Sequence, residues 1–226
     1  MKNVILTGAT GMIGGLILEI CLEHNSVGQI TSLVRSPTEK SHSKLNEVVL
    51  EDLSHFEPTA AYLKDQDVAF YCLGVYTGAV PREVFRQITV DYPVNFGRVL
   101  HQNNPNLNFC LLSGAGADRS EKSKVMFALD KGIAENQMAG IGFKEFHAFR
   151  PGYIYPVSKR KEPNISYEIM RALYPIIRLF GDKMSIKSTE LAQSMFHVGM
   201  NGCTLQILEN DEIIQQLEAD MNGNQT

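Results

Sequence analysis

Residues 7–14 read TGATGMIG and lie between a short apolar run, residues 4–6, and a stretch with apolar residues at helical spacing, residues 12–22. This order predicts a strand, a tight turn and a helix. Glycines in such a turn let the backbone bend sharply and approach a ligand without intervening Cβ atoms. The free N–H groups at the helix N-terminus favour phosphate. The stretch therefore predicts a site for the pyrophosphate of a dinucleotide, with a plain tight turn as the alternative.

Alternating strand and helix patterns continue along the chain. We predict strands over 29–34, 47–50, 67–73, 107–112 and 143–149, and helices over 81–101 and 122–139, with Pro93 kinking or splitting the first of these helices. Beyond residue 155 we predict helices over 166–179, 189–199 and 210–219, and a short strand over 204–208. The pattern indicates an α/β, doubly wound, mostly parallel Rossmann sheet with a small helical C-terminal extension.

Length and composition set the broad class of the protein. A chain of 226 residues with 44% hydrophobic residues predicts one domain over 1–226, with a core over 1–155 and a substrate-side extension over 156–226. The net charge of -4 predicts neither nucleic acid nor a membrane surface as a partner. Four scattered cysteines and six histidines without ligand spacing predict no disulfide framework and no metal site. We expect a cytoplasmic location, because the scattered cysteines fit a reducing compartment and no signal-peptide pattern is present at the N-terminus.

Four stretches of the sequence suggest a family. The N-terminal TGATGMIGG, residues 7–15, resembles the fingerprint of the extended and atypical short-chain dehydrogenases/reductases. LLSGAGAD at 111–118, Lys-Gly at 131–132 and Arg-Pro-Gly at 150–152 are similar to the atypical branch that contains the Tat-interactive-protein oxidoreductases. The resemblance covers most of the chain and implies a nicotinamide dinucleotide cofactor.

The end of the second predicted strand bears on the choice of cofactor. In the family, an acidic residue here holds the ribose 2′-hydroxyl and an arginine holds the 2′-phosphate. This chain has Arg35 followed by Ser36, with no acidic residue at the strand end. The guanidinium suits a phosphate, so NADP(H) is favoured over NAD(H). A solvated arginine at a strand end is the alternative.

The resemblance also implies which residues contact the cofactor. Asp52 and Leu53 correspond to the adenine contact, and Lys131 to the ribose contact. The full set that we predict is Gly8, Thr10, Gly11, Met12, Ile13, Gly14, Arg35, Ser36, Asp52, Leu53, Cys72, Leu73, Gly74, Lys131, Pro151 and Tyr153.

The catalytic pattern of the family is incomplete in this chain. Carbonyl-reducing members use a serine, and a tyrosine four residues before a lysine. Ser113 and Lys131 fit, but position 127 is Phe127, which has no hydroxyl. The resemblance places a second hydroxyl residue of many relatives at Gly114. A shift of the catalytic serine by one position in the alignment is therefore an open alternative. Tyr153 and, as an alternative, Tyr76 are candidates to replace the tyrosine; we predict Ser113, Lys131 and Tyr153 as the catalytic set.

Two functions therefore compete. The first is an NADP(H)-dependent oxidoreductase acting on a small carbonyl or alcohol substrate. The second is a regulator or scaffold that binds the dinucleotide and has lost the chemistry. A sugar-nucleotide isomerase or dehydratase would need a larger C-terminal domain. A homodimer through the predicted helices 81–101 and 122–139 is a further expectation.

Overall fold

The computed structural model describes residues 1–52, 54, 56, 61–158, 171, 174 and 184–223. The predicted site residue Leu53 and the helix predicted over 166–179, except Arg171 and Tyr174, lie outside these residues.

The main sheet is parallel throughout its described strands. It has the order β3-β2-β1-β4-β5-β6-β9. Its strands are β1 (Lys2–Thr7), β2 (Val27–Val34), β3 (Leu45–Val49), β4 (Val68–Tyr71), β5 (Asn108–Leu112), β6 (Glu145–Arg150) and β9 (Ile207–Glu209). The order 3-2-1-4-5-6 is that of the doubly wound dinucleotide-binding sheet, which confirms the predicted fold class. Two short strands that were not predicted, β7 (Tyr153–Tyr155) and β8 (Ser185–Lys187), form a separate parallel pair.

Helices cover both faces of this sheet. The described ones are α1 (Met12–Glu23), α2 (Arg82–Arg86), α3 (Tyr92–Asn103), α4 (Met126–Ala139), α5 (Ser188–Asn201) and α6 (Asn210–Gly223). Ile17 of α1 and Met195 of α5 are buried in one apolar cluster, and Phe96 of α3 and Met138 of α4 in another. Among the described residues no helix is both long and apolar enough to span a bilayer.

The C-terminal segment joins the core that the first 155 residues form. It is mainly helical, as predicted, but β9 pairs with β6 in the main sheet. Helix α5 packs so closely on β4 that a Cβ on Gly199 would lie 2.5 Å from the ring of Phe70. The predicted division at residue 155 therefore does not coincide with a boundary in the packing.

The predicted helix over 81–101 is interrupted. A π-helical segment, Gln87–Asp91, separates α2 from α3, and Pro93 is at the start of α3. Proline has no N–H to donate to the carbonyl four residues earlier, so the chain changes its hydrogen-bond register just before it. This confirms the predicted split.

Helix α4 begins four residues later than predicted, because Asp118 organises the preceding loop. One of its carboxylate oxygens accepts from the N–H and hydroxyl of Ser120, and the other accepts from the N–H groups of Lys122 and Ser123. The hydrogen bonds from Ser120 lower the pKa of Asp118. A local side-chain bond of this kind competes with helix formation, so residues 122–125 remain outside α4.

Candidate functional site

The glycine turn packs directly against the end of β4. Gly8 has φ +78°, and a Cβ there would lie 2.8 Å from the carbonyl carbon of Cys72. Gly11 donates its N–H to the carbonyl oxygen of Gly8 at 2.9 Å. A Cβ on Gly14 would overlap that same oxygen. Gly8 and Gly14 are therefore required by a backbone conformation or a close approach, and a Cβ on Gly11 would lie 3.1 Å from the carbonyl oxygen of Gly8.

A cleft of about 460 Å³ opens beside this turn, at the carboxyl ends of β1, β2 and β4. The turn, Arg35 and the loop after β4 border the same space, although they are far apart in the sequence. Of the predicted cofactor residues, the lining includes Gly8, Thr10, Gly11, Arg35, Asp52, Cys72, Leu73 and Gly74. The structure thus brings eight of the predicted cofactor residues to one cleft, and the predicted ribose contact, Lys131, is not among them.

Other predicted residues do not line the cleft. Ile13 is buried in the apolar core beneath the turn, and Ser36 is exposed beyond the end of β2. Met12, Gly14, Lys131, Pro151 and Tyr153 are also absent from the lining. Gly14 serves the turn through its packing on Gly8, so its role is to shape the site.

Asp52 is partly engaged within its own loop. Its Oδ1 accepts from the N–H of Ser54 at 2.8 Å and from the Ser54 hydroxyl at 2.6 Å. This side-chain turn orients the loop at the edge of the cleft.

The sequence analysis missed one wall of the cleft. This wall consists of Val80, Ile88 of the π-helical segment and Tyr92 at the start of α3. The signal was the proline that breaks the predicted helix, since π-helical turns are frequent at functional sites. The remaining missed lining residues are Ala9, Leu33, Val34, Glu51 and Val75.

Two ion pairs, from Arg82 and Arg86 to Asp130, hold this wall against α4; we call these three residues the clasp. Asp130 is fully buried and accepts two hydrogen bonds from the Arg82 guanidinium, at 2.5 and 2.9 Å, and one from Arg86 at 3.1 Å. Because Arg82 and Arg86 both lie on α2, the clasp positions the π-helical segment that follows.

Ser113, one of the predicted catalytic residues, is committed to a buried ion pair. Its hydroxyl donates to Oε1 of Glu135 at 2.5 Å. Glu135 is fully buried and also accepts from Nε and Nη2 of Arg150, at 3.0 and 2.5 Å. Nη1 of Arg150 donates to Glu209 at 2.8 Å. Sequence reasoning missed Glu135 altogether, because nothing in its helical position distinguishes it from a surface carboxylate.

Lys131 lies at the same strand end. Its Nζ donates to the carbonyl oxygen of Leu112, the last residue of β5, at 3.2 Å. Burial lowers the pKa of this ammonium from 10.5 to about 8, and the charge of Glu135 opposes the shift. The amine therefore changes its charge close to neutral pH.

Phe127 is one turn before Lys131 on α4, where the family has tyrosine. Its ring lies against Gly114: a Cβ built on Gly114 would be 2.6 Å from Cζ of the ring. No hydroxyl is available at either position.

The candidate replacements for that tyrosine lie elsewhere. Tyr153 is in β7, with its ring centroid 6.4 Å from that of Tyr174. Tyr76 is in the loop after β4. Neither lines the cleft.

The thiols of Cys21, Cys72 and Cys110 are poor nucleophiles. Burial raises the pKa of Cys21 to about 12 and raises the pKa values of Cys72 and Cys110 as well. A thiol is reactive as the thiolate, so Cys72 contributes packing at the cleft floor. In the part of the chain that the structure describes, no three His, Cys, Asp or Glu side chains are grouped to hold a metal ion.

Comparison with known proteins places this architecture among relatives. A family model described as "Male sterility protein", NAD_binding_4, matches residues 6–67. Protein HTATIP2 of Rattus norvegicus is 27% identical over 156 residues, which is 68% of this chain and 63% of the rat protein. Protein fmp52, mitochondrial, of Aspergillus clavatus is 27% identical over 168 residues, which is 72% of this chain and 71% of that protein.

Solved structures share the fold at low identity. Gre2 of Candida albicans in complex with NADPH superposes with a TM-score of 0.72 and 16% identity, over 93% of this chain and 78% of Gre2. WbmH of Bordetella bronchiseptica in complex with NAD+ gives a TM-score of 0.66 and 15% identity, over 89% and 72% of the two chains.

The relatives correct the expected cytoplasmic location. The fmp52 proteins of several Aspergillus species and of Emericella nidulans are mitochondrial by name. That expectation of a purely cytoplasmic protein is therefore wrong. Its main support was the set of scattered cysteines, but Cys21 and Cys110 are buried, and burial protects a thiol in any compartment.

The glycine turn, the strand order and these relatives agree with the resemblance found in the sequence. The chain is similar to the atypical short-chain dehydrogenases/reductases in its N-terminal motif and in its fold.

Proposed function

We propose that this chain binds a nicotinamide dinucleotide in the cleft beside the glycine turn, and that it prefers NADP(H) to NAD(H). The observation that carries the proposal is that Gly8 and Gly11 of the turn border the same cleft as Arg35. The turn suits the pyrophosphate and the guanidinium suits a 2′-phosphate.

The residues present fit such a cofactor. Helix α1 has no acidic residue in its first turn, and Gly11 at its N-cap makes no side-chain cap, so the first N–H groups can bind phosphate. The cleft volume of about 460 Å³ is within the usual range of ligand sites. Gre2 binds NADPH and WbmH binds NAD+ on this fold, so the fold alone does not select between them. Arg35 therefore carries the preference.

Calorimetric titration of the full chain with NADPH and with NADH tests the proposal. A charge-assisted hydrogen bond contributes roughly 1.5–3 kcal/mol, so Arg35→Ala should weaken NADPH binding by about 10- to 100-fold and leave NADH binding almost unchanged. Arg98→Ala, which removes an exposed arginine of α3, is the matched control. Equal losses for both dinucleotides would contradict the preference, and binding of neither would contradict the proposal.

For the reaction, we propose reduction of a small carbonyl compound or oxidation of the alcohol. Lys131 at the end of β5 supports this function, since it is the family's lysine and its Nζ is held at the strand end. The bound dinucleotide would supply or accept the hydride.

The second candidate is a binding protein without turnover. The contact of Phe127 with Gly114 and the bond of Ser113 to Glu135 favour it, because they remove the hydroxyl donors of the usual route. Loss of NADPH absorbance in the presence of benzaldehyde, hexanal, acetophenone or 2,3-butanedione would favour the oxidoreductase. Tight NADPH binding with no oxidation would favour the binding protein.

A further inference from the structure

We infer that Lys131 donates the proton to a substrate oxygen at the carboxyl end of β5, in place of the tyrosine hydroxyl that position 127 lacks. This inference rests on the oxidoreductase function proposed above and assigns the acid of that reaction.

Ser113 is not available as the donor. An ionised carboxylate accepts hydrogen bonds and donates none, and a hydroxyl has one proton. The Ser113 hydroxyl donates its one hydrogen bond to Oε1 of Glu135, with 2.5 Å between the two oxygens. Towards a ligand, the serine oxygen can therefore only accept a hydrogen bond. The Arg150 guanidinium, which binds both oxygens of Glu135, keeps the carboxylate in place.

Positions 114 and 127 supply no hydroxyl either. The Phe127 ring fills the space in which Gly114 lacks a side chain, with Cζ 2.6 Å from the site of a Cβ. The contact is apolar on both sides, so it can exclude water but cannot supply a proton.

Lys131 is on the same face of α4 as Phe127, four residues further along the helix. Its Nζ reaches the carbonyl oxygen of Leu112, the residue that precedes Ser113. An ammonium has three N–H donors, and this bond uses one. The geometry thus holds an N–H donor at the carboxyl end of β5, the strand next to β4, whose own carboxyl end borders the cleft. Ligands of open α/β sheets bind at this edge.

The charges around Lys131 are largely compensated by other partners. Glu135 on the same helix is paired with Arg150 of β6, and Asp130 is paired with Arg82 and Arg86 of α2. Burial therefore dominates and lowers the pKa of Lys131 to about 8. A general acid works best when its pKa is near the working pH, so this amine can lose a proton and regain it from water.

The proton and electron balance is simple. With the reduced nicotinamide as hydride donor, two electrons and a hydrogen pass to the carbonyl carbon and the carbonyl π pair moves to oxygen. One N–H bond of the Lys131 ammonium breaks as the O–H bond of the product alcohol forms. The neutral amine then takes a proton from water.

The test compares wild type with Lys131→Arg, which keeps the positive charge but has a guanidinium that does not deprotonate in proteins. NADPH oxidation with benzaldehyde, hexanal, acetophenone and 2,3-butanedione is followed from pH 6.5 to 10, and NADPH affinity is measured by calorimetry. Lys124→Arg, in the exposed loop before α4, is the control. We expect Lys131→Arg to lower the rate about 100-fold or more, with a less than threefold change in NADPH affinity.

Two readouts need no variant. The wild-type rate should be constant below pH 8 and fall about tenfold for each further pH unit. The ¹³Cε resonance of Lys131, followed by NMR, should titrate with a midpoint near pH 8, below the ordinary lysine value of 10.5. A rate that does not depend on pH, an unchanged rate in Lys131→Arg, or a Lys131 midpoint above pH 10 would overturn the inference.

The failure of this inference differs from that of the proposed function. Oxidation of a carbonyl at a rate that is unchanged in Lys131→Arg overturns the role of Lys131 alone. NADPH binding without oxidation of any of the four carbonyls overturns that role together with the oxidoreductase function and leaves dinucleotide binding intact. Absence of both NADPH and NADH binding overturns the two together.

Discussion

The aromatic ring of Phe127 lies against the backbone of Gly114, with its Cζ atom 2.6 Å from the point at which a Cβ on Gly114 would lie. The two residues come from α4 and from the loop after β5, at positions where the resemblance implies a hydroxyl in many relatives and this chain has none. Their contact links the two changes physically, because the ring occupies space that a side chain at position 114 would need. A serine at position 114 would therefore have to displace the Phe127 ring.

Gly114→Ala should destabilise the protein through this contact. Insertion of a methyl group into a filled space costs about 1–3 kcal/mol, and the loss should almost disappear in a Phe127→Ala background, where the ring is absent. Urea denaturation of the two single variants and the double variant measures the coupling. Gly74→Ala is the control, since a Cβ at Gly74 meets nothing within 4 Å. Additive effects of Gly114→Ala and Phe127→Ala would contradict the contact.

Gly14→Ala should disrupt the glycine turn. The new Cβ would overlap the carbonyl oxygen of Gly8, and backbone on both sides prevents a small adjustment. We expect a loss of more than about 2 kcal/mol in the free energy of unfolding, together with loss of NADPH binding. Gly15→Ala is a matched neighbour in the same helix, where the Cβ would be 3.2 Å from the carbonyl oxygen of Ala9. A Gly15→Ala variant as damaged as Gly14→Ala would show that helix entry, not the turn, is sensitive.

The burial of Lys131 should make stability depend on pH at alkaline values. The folded state lowers the pKa from 10.5 to about 8, so between these values the unfolded chain binds the proton more strongly. Stability therefore rises with pH in this window, and the cost of burying the ammonium is fully present below pH 8. Relative to Lys131→Met, wild type should gain on the order of 3 kcal/mol between pH 7 and pH 10.5.

Urea denaturation at several pH values measures this difference. Lys124→Met, at an exposed position, should show no such pH-dependent difference from wild type. A constant difference between wild type and Lys131→Met would indicate that the amine keeps its ordinary pKa.

Asp130→Asn should loosen the wall of the cleft. Asp130 is fully buried and binds two arginines whose side chains are about 40% exposed, at 39% and 43%. Removal of one partner from a buried ion pair costs about 3–5 kcal/mol, and the low end is expected because water can reach the arginines. NADPH affinity should also fall several-fold, because the clasp positions the segment that contains Ile88.

Thermal or urea denaturation and calorimetry check both effects. Arg82→Ala should cost more than Arg86→Ala, since Arg82 makes two of the three hydrogen bonds to Asp130. The reverse order would contradict the clasp geometry.

Local sequence signals were sufficient for much of the architecture. Apolar periodicity located the strands of the parallel sheet, with ends that differ by a few residues. Pro93 predicted the break in the long helix, because its missing N–H acts on its own neighbours. The start of α4 could not be predicted, since the helical pattern of residues 122–125 competes with four hydrogen bonds to Asp118 that only the folded loop reveals.

The sequence by itself determined the turn at Gly8 and Gly11 and the absence of a hydroxyl at Phe127, because these are properties of single residues and their immediate neighbours. Only the tertiary structure decided which group accepts the hydrogen bond from the Ser113 hydroxyl. Glu135 meets Ser113 after α4 packs on the sheet, and Arg150 holds it there from a third segment. Hydrogen bonds between distant segments depend on how the helices pack, and no periodicity or motif in this sequence encodes them.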